Sequence, residues 1–219
     1  MVKLWEIGTG QEIGAYSFEA TRYGISGIAS AAFSPDGKHI AAVTEGPEAS
    51  VRVWDIETGK IVFTASRHVE LDANFALAYS PDGARLAISG LNITATIYDI
   101  RSGKVANTIS GYKSSVMGMD ISLDGSLLAT SHADGTVKVW DLNTGQELLA
   151  LSGNSGPVSS VIFSQDDRYL ITSGFDGTAR VFVLDLDELI RLAHSRVTRN
   201  LTAQECRQYL HMENCPASP

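Results

Sequence analysis

Cysteine is nearly absent. The 219 residues hold two, Cys206 and Cys215, both close to the C-terminus. Two thiols do not frame a chain of this length, which excludes a disulfide-stapled fold and points to a reducing, cytoplasmic setting. A Cys206–Cys215 bridge and two free thiols both stay open. No run of apolar residues is long enough for a helical membrane span, so no membrane partner is expected. The opening residues Met1-Val2-Lys3-Leu4-Trp5 lack the basic-then-apolar layout of a secretion signal. Positive charge is in deficit: 17 Lys and Arg stand against 25 Asp and Glu, a formal net charge of −8. That balance repels nucleic acid at long range, and no nucleic-acid partner is expected. The Gly-x-x-x-x-Gly-Lys cradle that binds phosphates is missing as well.

What the chain has in quantity is a repeat. Asp134 to Gly145 reads D-G-T-V-K-V-W-D-L-N-T-G. A tight turn at Asp134-Gly135 leads into a strand of strict period two, with Val137 and Val139 on one face and Lys138 and Trp140 on the other. A second turn, Asn143-Thr144-Gly145, ends it. The same pattern returns as V-K-L-W-E-I-G-T-G from Val2, V-R-V-W-D-I-E-T-G from Val51 and A-T-I-Y-D-I-R-S-G from Ala95, with a degenerate A-R-V-F-V-L-D from Ala179. The aromatic anchors Trp5, Trp54, Tyr98, Trp140 and Phe182 are separated by 49, 44, 42 and 42 residues. Asp55, Asp99 and Asp141 follow three of them. A period of this length, closed by Trp-Asp or a close substitute, marks a propeller array rather than a helical solenoid.

Taken in order, Val2 to Ile7 is a third strand with no first or second strand before it, and Gln11 to Phe18 is its outer strand. Ser34-Pro35-Asp36-Gly37 and Ser80-Pro81-Asp82-Gly83 suit tight hairpin turns, and Ser122-Leu123-Asp124-Gly125 and Ser164-Gln165-Asp166-Asp167 are weaker versions. Loss of Asp134, in the turn before the Trp strand, is expected to cost more than loss of Asp124. The last unit has three strands, Val158 to Phe163, Arg168 to Ser173 and Thr178 to Val183, with no fourth. A helical period then begins, with Leu186, Leu189, Ile190, Ala193 and Val197 on one face. Thr202 and Glu205 form a capping box for a second helix toward Leu210.

With these units on the page, residues 1–184 resemble the WD-repeat β-propeller family. The resemblance implies an all-β fold: a partial unit at 1–18, four blades at about 19–66, 67–110, 111–152 and 153–184, and a helical tail at 185–219. Such an array is expected to be part of a larger propeller, open or poorly sealed, and oligomeric or insoluble by itself. In that family a His in the loop before the first strand, a Ser or Thr on the second strand, the Asp of the tight turn and the Trp of the third strand often share a hydrogen-bond network. Here the corresponding loop pairs are Gly111-Tyr112 and Gly153-Asn154, without His. Asp134 and Asp176 match the turn Asp, but Phe182 cannot hydrogen-bond, so the complete network is expected in no blade. The tail, with R-N-L-T, E-C and Q-Y-L between Arg199 and Leu210, resembles the end of large bacterial signalling proteins. In those, a WD-repeat propeller follows an ATPase, kinase or regulatory domain.

Catalysis has little to build on. His132 stands near Asp134, and Ser159-Ser160 are hydroxyls, but no third group or oxyanion donor pair completes a triad. Gly153-Asn154-Ser155-Gly156 is too short for a nucleophile elbow. Asp185, Asp187 and Glu188 open a helix rather than hold a metal. No catalytic residue, metal or cofactor is expected. A propeller offers a face, where the loops before first strands and between second and third strands converge. Here they carry Arg22, Tyr23, Arg67, His68, Tyr112, Lys113, Asn154 and Phe175, types favoured at interface hot spots.

The expected function is a non-catalytic protein-interaction or sensing scaffold, the propeller portion of a larger bacterial signalling protein. Its partners would be proteins and the missing upstream blades or domains of the same chain. A catalytic propeller acting as a hydrolase or lyase is one alternative, but inner strands such as Ser160-Val161-Ile162-Phe163 offer few polar groups to a channel. A non-functional gene fragment is the other.

Overall fold

The computed structural model describes residues 1–19, 27–44, 49–66, 76–90, 94–185 and 187–191. The chain divides into two compact units, Met1–Phe182 and Val183–Pro219. The described strands form five antiparallel sheets. A hairpin of β1 (Val2–Trp5) and β2 (Glu12–Tyr16) comes first. Three four-stranded sheets follow: β3 (Ile28–Phe33), β4 (His39–Thr44), β5 (Ser50–Asp55) and β6 (Ile61–Ser66); β7 (Leu77–Tyr79), β8 (Arg85–Gly90), β9 (Thr94–Asp99) and β10 (Val105–Ser110); β11 (Val116–Ile121), β12 (Leu127–His132), β13 (Val137–Asp141) and β14 (Glu147–Leu151). The last has three strands: β15 (Val158–Phe163), β16 (Tyr169–Gly174) and β17 (Ala179–Val183). This is a partial β-propeller of four blades preceded by a two-strand remnant. In the second unit residues 187–191 are helical, and Asp185 starts the turn by accepting the Glu188 amide at 2.7 Å. Leu186, Ala193, Val197, the second helix and both cysteines lie outside the described residues.

The first strands β3, β7, β11 and β15 touch in that order, so the blades stack in chain order. Stacking explains why β13 is apolar on both faces. Val137 and Val139 alternate with Lys138 and Trp140 as the sequence indicates, yet all four are buried. One sheet face packs on the blade before it and the other on the blade after it. Ala87, Ala95, Ile97 and Ile109 of the second blade form one core with Met119, Ile121, Leu128, Trp140 and Leu142 of the third. Val51, Val53 and Phe63 of the first join Leu77, Leu86 and Ile88 of the second. The hairpin repeats the arrangement, with Val2, Leu4 and Tyr16 packed against Ile40, Ala42 and Trp54. Small Ala residues at 41, 87 and 129 allow the sheets to approach closely.

The turns are built from short polar side chains. In the outer turn Ser34 donates its hydroxyl to Asp36 at 2.6 Å and accepts the His39 amide at 2.9 Å, while Asp36 accepts the Lys38 amide at 3.0 Å. The same bonds recur at Ser80/Asp82, Ser122/Asp124 and Ser164/Asp166, so the two versions lacking Pro are full turns. Gly37 closes its turn at φ 69°, and Asp167 holds that left-handed conformation at φ 56° without being Gly. Its carboxylate compensates by accepting the Leu123 and Asp124 amides of the preceding blade at 2.8 and 3.1 Å. The Asp after each aromatic anchor serves the exit turn: Asp55 accepts the Thr58 amide and hydroxyl, Asp99 those of Ser102, and Asp141 the Asn143 and Thr144 amides.

One expectation needs correction. Asp134 is exposed, and its carboxylate serves one residue, accepting the Thr136 amide and hydroxyl. Asp124 accepts the Ser122 hydroxyl and both the amide and hydroxyl of Ser126, so the larger loss is expected at Asp124. The complete family network is absent from the third blade as expected, since Asp134 takes no part, but three of its side chains are linked. Trp140 Nε1 donates to Thr130 Oγ1 at 2.9 Å, and Thr130 Oγ1 lies 2.9 Å from His132 Nε2. His132 arrives from the end of β12, and Tyr112 fills the space beside it with ring centroids 5.1 Å from His132 and 4.8 Å from Trp140. His132 Nε2 shares this hydrogen bond with the Thr130 hydroxyl, and its buried Nδ1 has no hydrogen-bond partner. Burial pushes the His132 pKa below its ordinary value.

Thr172 stands in the last blade where Thr130 stands in the third, but its buried hydroxyl has no hydrogen-bond partner. Thr130→Val is therefore expected to cost about 1–3 kcal/mol for each of the two groups it leaves unpaired. Thr172→Val removes an unsatisfied group and is expected to be neutral or stabilising. Urea midpoints of the two variants decide it, and equal losses would overturn the assignment. The His132 shift sets a pH dependence. Its folded pKa is depressed, so the unfolded chain binds the extra proton first. The stabilisation is full above the unfolded value of about 6.5 and is lost as pH falls below it toward the folded pKa. Urea midpoints at pH 7.5 and 5.5 are expected to differ less in His132→Gln than in the wild type.

Candidate functional site

The loops leading into β11 and β15, and those joining β12 to β13 and β16 to β17, meet at one end of the third and fourth blades. Backbone bonds fix them in pairs: the Ala133 amide donates to Ser115 O at 3.0 Å and the Phe175 amide to Pro157 O at 2.9 Å. Between the blades, Asn154 donates to Gly135 O at 3.3 Å and accepts Arg180 at 2.5 Å. Arg180 also reaches Asp176 at 2.8 Å and the Thr178 hydroxyl at 2.5 Å, and the Ser155 amide donates to Asp176 at 3.1 Å. The Thr178 hydroxyl, Arg180 and the Ser155 amide together hold the Asp176 carboxyl well below the usual carboxylate range. The result is a charged, internally satisfied platform whose donors and acceptors are mostly used.

On this platform the candidate residues separate. Phe175 projects outward, 71 % exposed, and Lys113 is exposed on the neighbouring loop. Asn154 is half-buried and committed to the two blades it joins. Tyr112 is not a surface residue: it is buried against His132 and Trp140, and burial raises its hydroxyl pKa. The physical reason is that the loop lacks a His, and the Tyr ring fills that volume. Arg22, Tyr23, Arg67 and His68 lie outside the described residues. Arg180 was missed as a site residue; its place between a turn Asp and a loop Asn was the available signal. His132 is buried and Ser159 bonds Ser173, so neither presents a free group at this end. Among the described residues no cluster of His, Cys, Asp and Glu could hold a metal ion. No helix among them is long and apolar enough to cross a membrane.

Gly135 is one place where the third and fourth blades approach closely. A Cβ there would lie 3.1 Å from Gly156 O and 3.2 Å from Asn154 O, at a φ of 86°. Gly111 has a φ of 97° but open space around it. Gly135→Ala is expected to lose about 1–3 kcal/mol, more than Gly111→Ala, because it adds a backbone clash to the same conformational strain. Thermal or urea denaturation of both variants checks the order.

The family described as WD domain, G-beta repeat matches residues 16–55, 103–141 and 145–182, together just over half of the chain. The unmatched middle, 56–102, holds most of the second blade, where Tyr98 replaces the Trp. No curated protein matches the chain. Among solved structures it is similar to one described as "Structure of U3-55K", with a TM-score of 0.64 at 22 % sequence identity, over 73 % of this chain and 49 % of that one. The chain thus spans about half the length of that structure, and the likeness concerns the fold. Repeat period, stacked blades, turn chemistry and family match agree: the chain belongs to the WD-repeat family, whose domains serve in general as protein-interaction scaffolds.

Proposed function

We propose that this chain is a non-catalytic protein-interaction or sensing scaffold, the propeller portion of a bacterial signalling protein working in the cytoplasm, with the loop end of its third and fourth blades as the partner surface. The observation that carries the reading is Phe175: a large apolar side chain, 71 % exposed, at the tip of a turn whose backbone and neighbours are fixed by hydrogen bonds. A rigid, exposed aromatic is the kind of anchor that contributes most to a protein interface, because little conformational freedom is lost on binding. The tail's resemblance to the ends of bacterial signalling proteins supports the setting, and the acidic balance supports a protein partner over nucleic acid. Catalysis finds no support at this end, where the Asp, Arg and Asn side chains are bonded to one another.

The test is a photo-reactive amino acid placed at Phe175, with another at the exposed outer-strand residue Leu148 as control, in cells of the source organism. A discrete protein adduct from position 175 that is absent from 148 and weakened by Lys113→Glu is the expected result. Equal labelling at both positions, or turnover in an ester, phosphate and glycoside screen, would overturn the reading.

A further inference from the structure

His132 is a titratable ring held where charge is hard to carry. It is 1 % exposed, in a blade with a described blade on each side. Its Nε2 is bonded to the Thr130 hydroxyl, which also accepts the Trp140 indole, while Nδ1 has no hydrogen-bond partner. A neutral imidazole has one N–H, but an imidazolium has two. The Nδ1 proton of the charged ring would be buried unpaired, whichever nitrogen carried the first proton. Burial opposes the charge most strongly; the Ser114 carbonyl and the Asp134 and Glu147 carboxylates favour it, and the Lys138 ammonium opposes it. Lys138 and Glu147 are paired at 2.6 Å, so their effects largely offset each other. Tyr112, stacked against His132, stays neutral because burial raises its hydroxyl pKa. On the remaining sides Val116 stands opposite His132 in β11, and β15 carries no ionisable side chain.

What lies over this ring is the loop from Gly111 to Ser115. Tyr112 is its buried anchor, between an exposed Gly111 and an exposed Lys113. Its backbone tie to the next turn is the Ala133 amide on Ser115 O, at 3.0 Å. The fourth blade builds the same tie, the Phe175 amide on Pro157 O at 2.9 Å, with no imidazole beneath it. There Gly174 stands opposite Val158 as His132 stands opposite Val116, and Asn154 follows Gly153 as Tyr112 follows Gly111. One chain thus holds the loop with the buried ring and the loop without it.

We infer that His132 is a proton-operated latch: when its ring takes up a proton, the Gly111–Ser115 loop lifts, Tyr112 leaves the core and the imidazolium reaches water. β11 and β13 bond β12 along both edges, and neighbouring blades cover both faces, which leaves the loop side as the way to solvent. The closed form disfavours the proton and the lifted form does not, so the loop is held above the free imidazole pKa and loosens below it. Each pH unit below about 6.5 favours the lifted form by up to about tenfold, until the closed form itself titrates. Lys113 rides on the same loop, so the latch would withdraw one residue of the loop-end surface as pH falls. That consequence rests on the loop-end reading, whereas the latch does not.

Amide hydrogen exchange of the full 219-residue chain, read residue by residue by NMR and corrected for the intrinsic pH dependence, tests this between pH 7.5 and 5.5. Protection of the Ala133 amide is expected to fall by up to about tenfold per pH unit below 6.5, and to stay below that of the β12–β13 ladder throughout. The Phe175 amide is expected to hold its protection. In His132→Gln the Ala133 amide is expected to follow Phe175; should that variant lack a cooperative urea transition, the wild-type comparison of the two amides decides alone. Three results would overturn the inference: Ala133 following Phe175 in the wild type, a fall at Ala133 that survives His132→Gln, or Ala133 matching the β12–β13 ladder at every pH, which is global unfolding. Crosslinking from position 175 reads the loop-end surface separately, so the two readings fail independently.

Discussion

Everything in this fold follows from strands that are apolar on both faces. A sheet with one apolar face can be finished by solvent on the other side; a blade such as β11–β14 cannot. Its Val137–Val139 face and its Leu128–Trp140 face both require a neighbouring sheet. Burying a side chain such as Leu128 or Ile97 contributes on the order of 2 kcal/mol, and each interface collects several. The blades therefore stabilise one another in series, as in other repeat arrays, where much of the stability resides in nearest-neighbour contacts. The polar groups add register. Asp120 accepts the Phe163 amide of the next blade at 2.8 Å, and the Asp167 carboxylate bridges back to the turn before it.

Much of the architecture was legible because the repeat supplies its own controls. Aromatic anchors at near-constant spacing gave the third strands, and turn residues at fixed offsets gave the hairpins. The three-stranded form of the last blade among the described residues goes with a change from period two to a helical period after Val183. What could not be read was the equivalence of dissimilar residues. Ser-Gln-Asp-Asp looks like a damaged turn because Asp rarely takes a left-handed conformation. Only the structure shows that Asp167 makes two inter-blade bonds that offset the strain.

The partial polar link of the third blade could not be read for a related reason. A motif search looks for His at one position in the loop before the first strand. In this chain the imidazole reaches Thr130 from two residues further along the same strand, and a tyrosine ring fills the vacated volume. Sequence offsets record which residue precedes which, whereas a hydrogen bond needs only that two atoms arrive within reach. Tyr112 was mistaken for a surface anchor on the same grounds. An aromatic in a loop is a binding candidate by type, and here its ring completes the core. Phe175 and Lys113 are the loop candidates that stay exposed among the described residues.

The outer turns carry a consequence for how such a protein can change over generations. Ser34, Asp36, Lys38 and His39 satisfy one another inside a single hairpin, as do their counterparts in the other blades. A genetic exchange that joins one repeat to another at matching points would carry each hairpin's polar contacts along intact. Only the apolar faces would have to be matched anew, and these are alike from repeat to repeat. Blade number in such a lineage is thus free to drift by unequal recombination, with the fit between facing sheets as the trait on which selection must act.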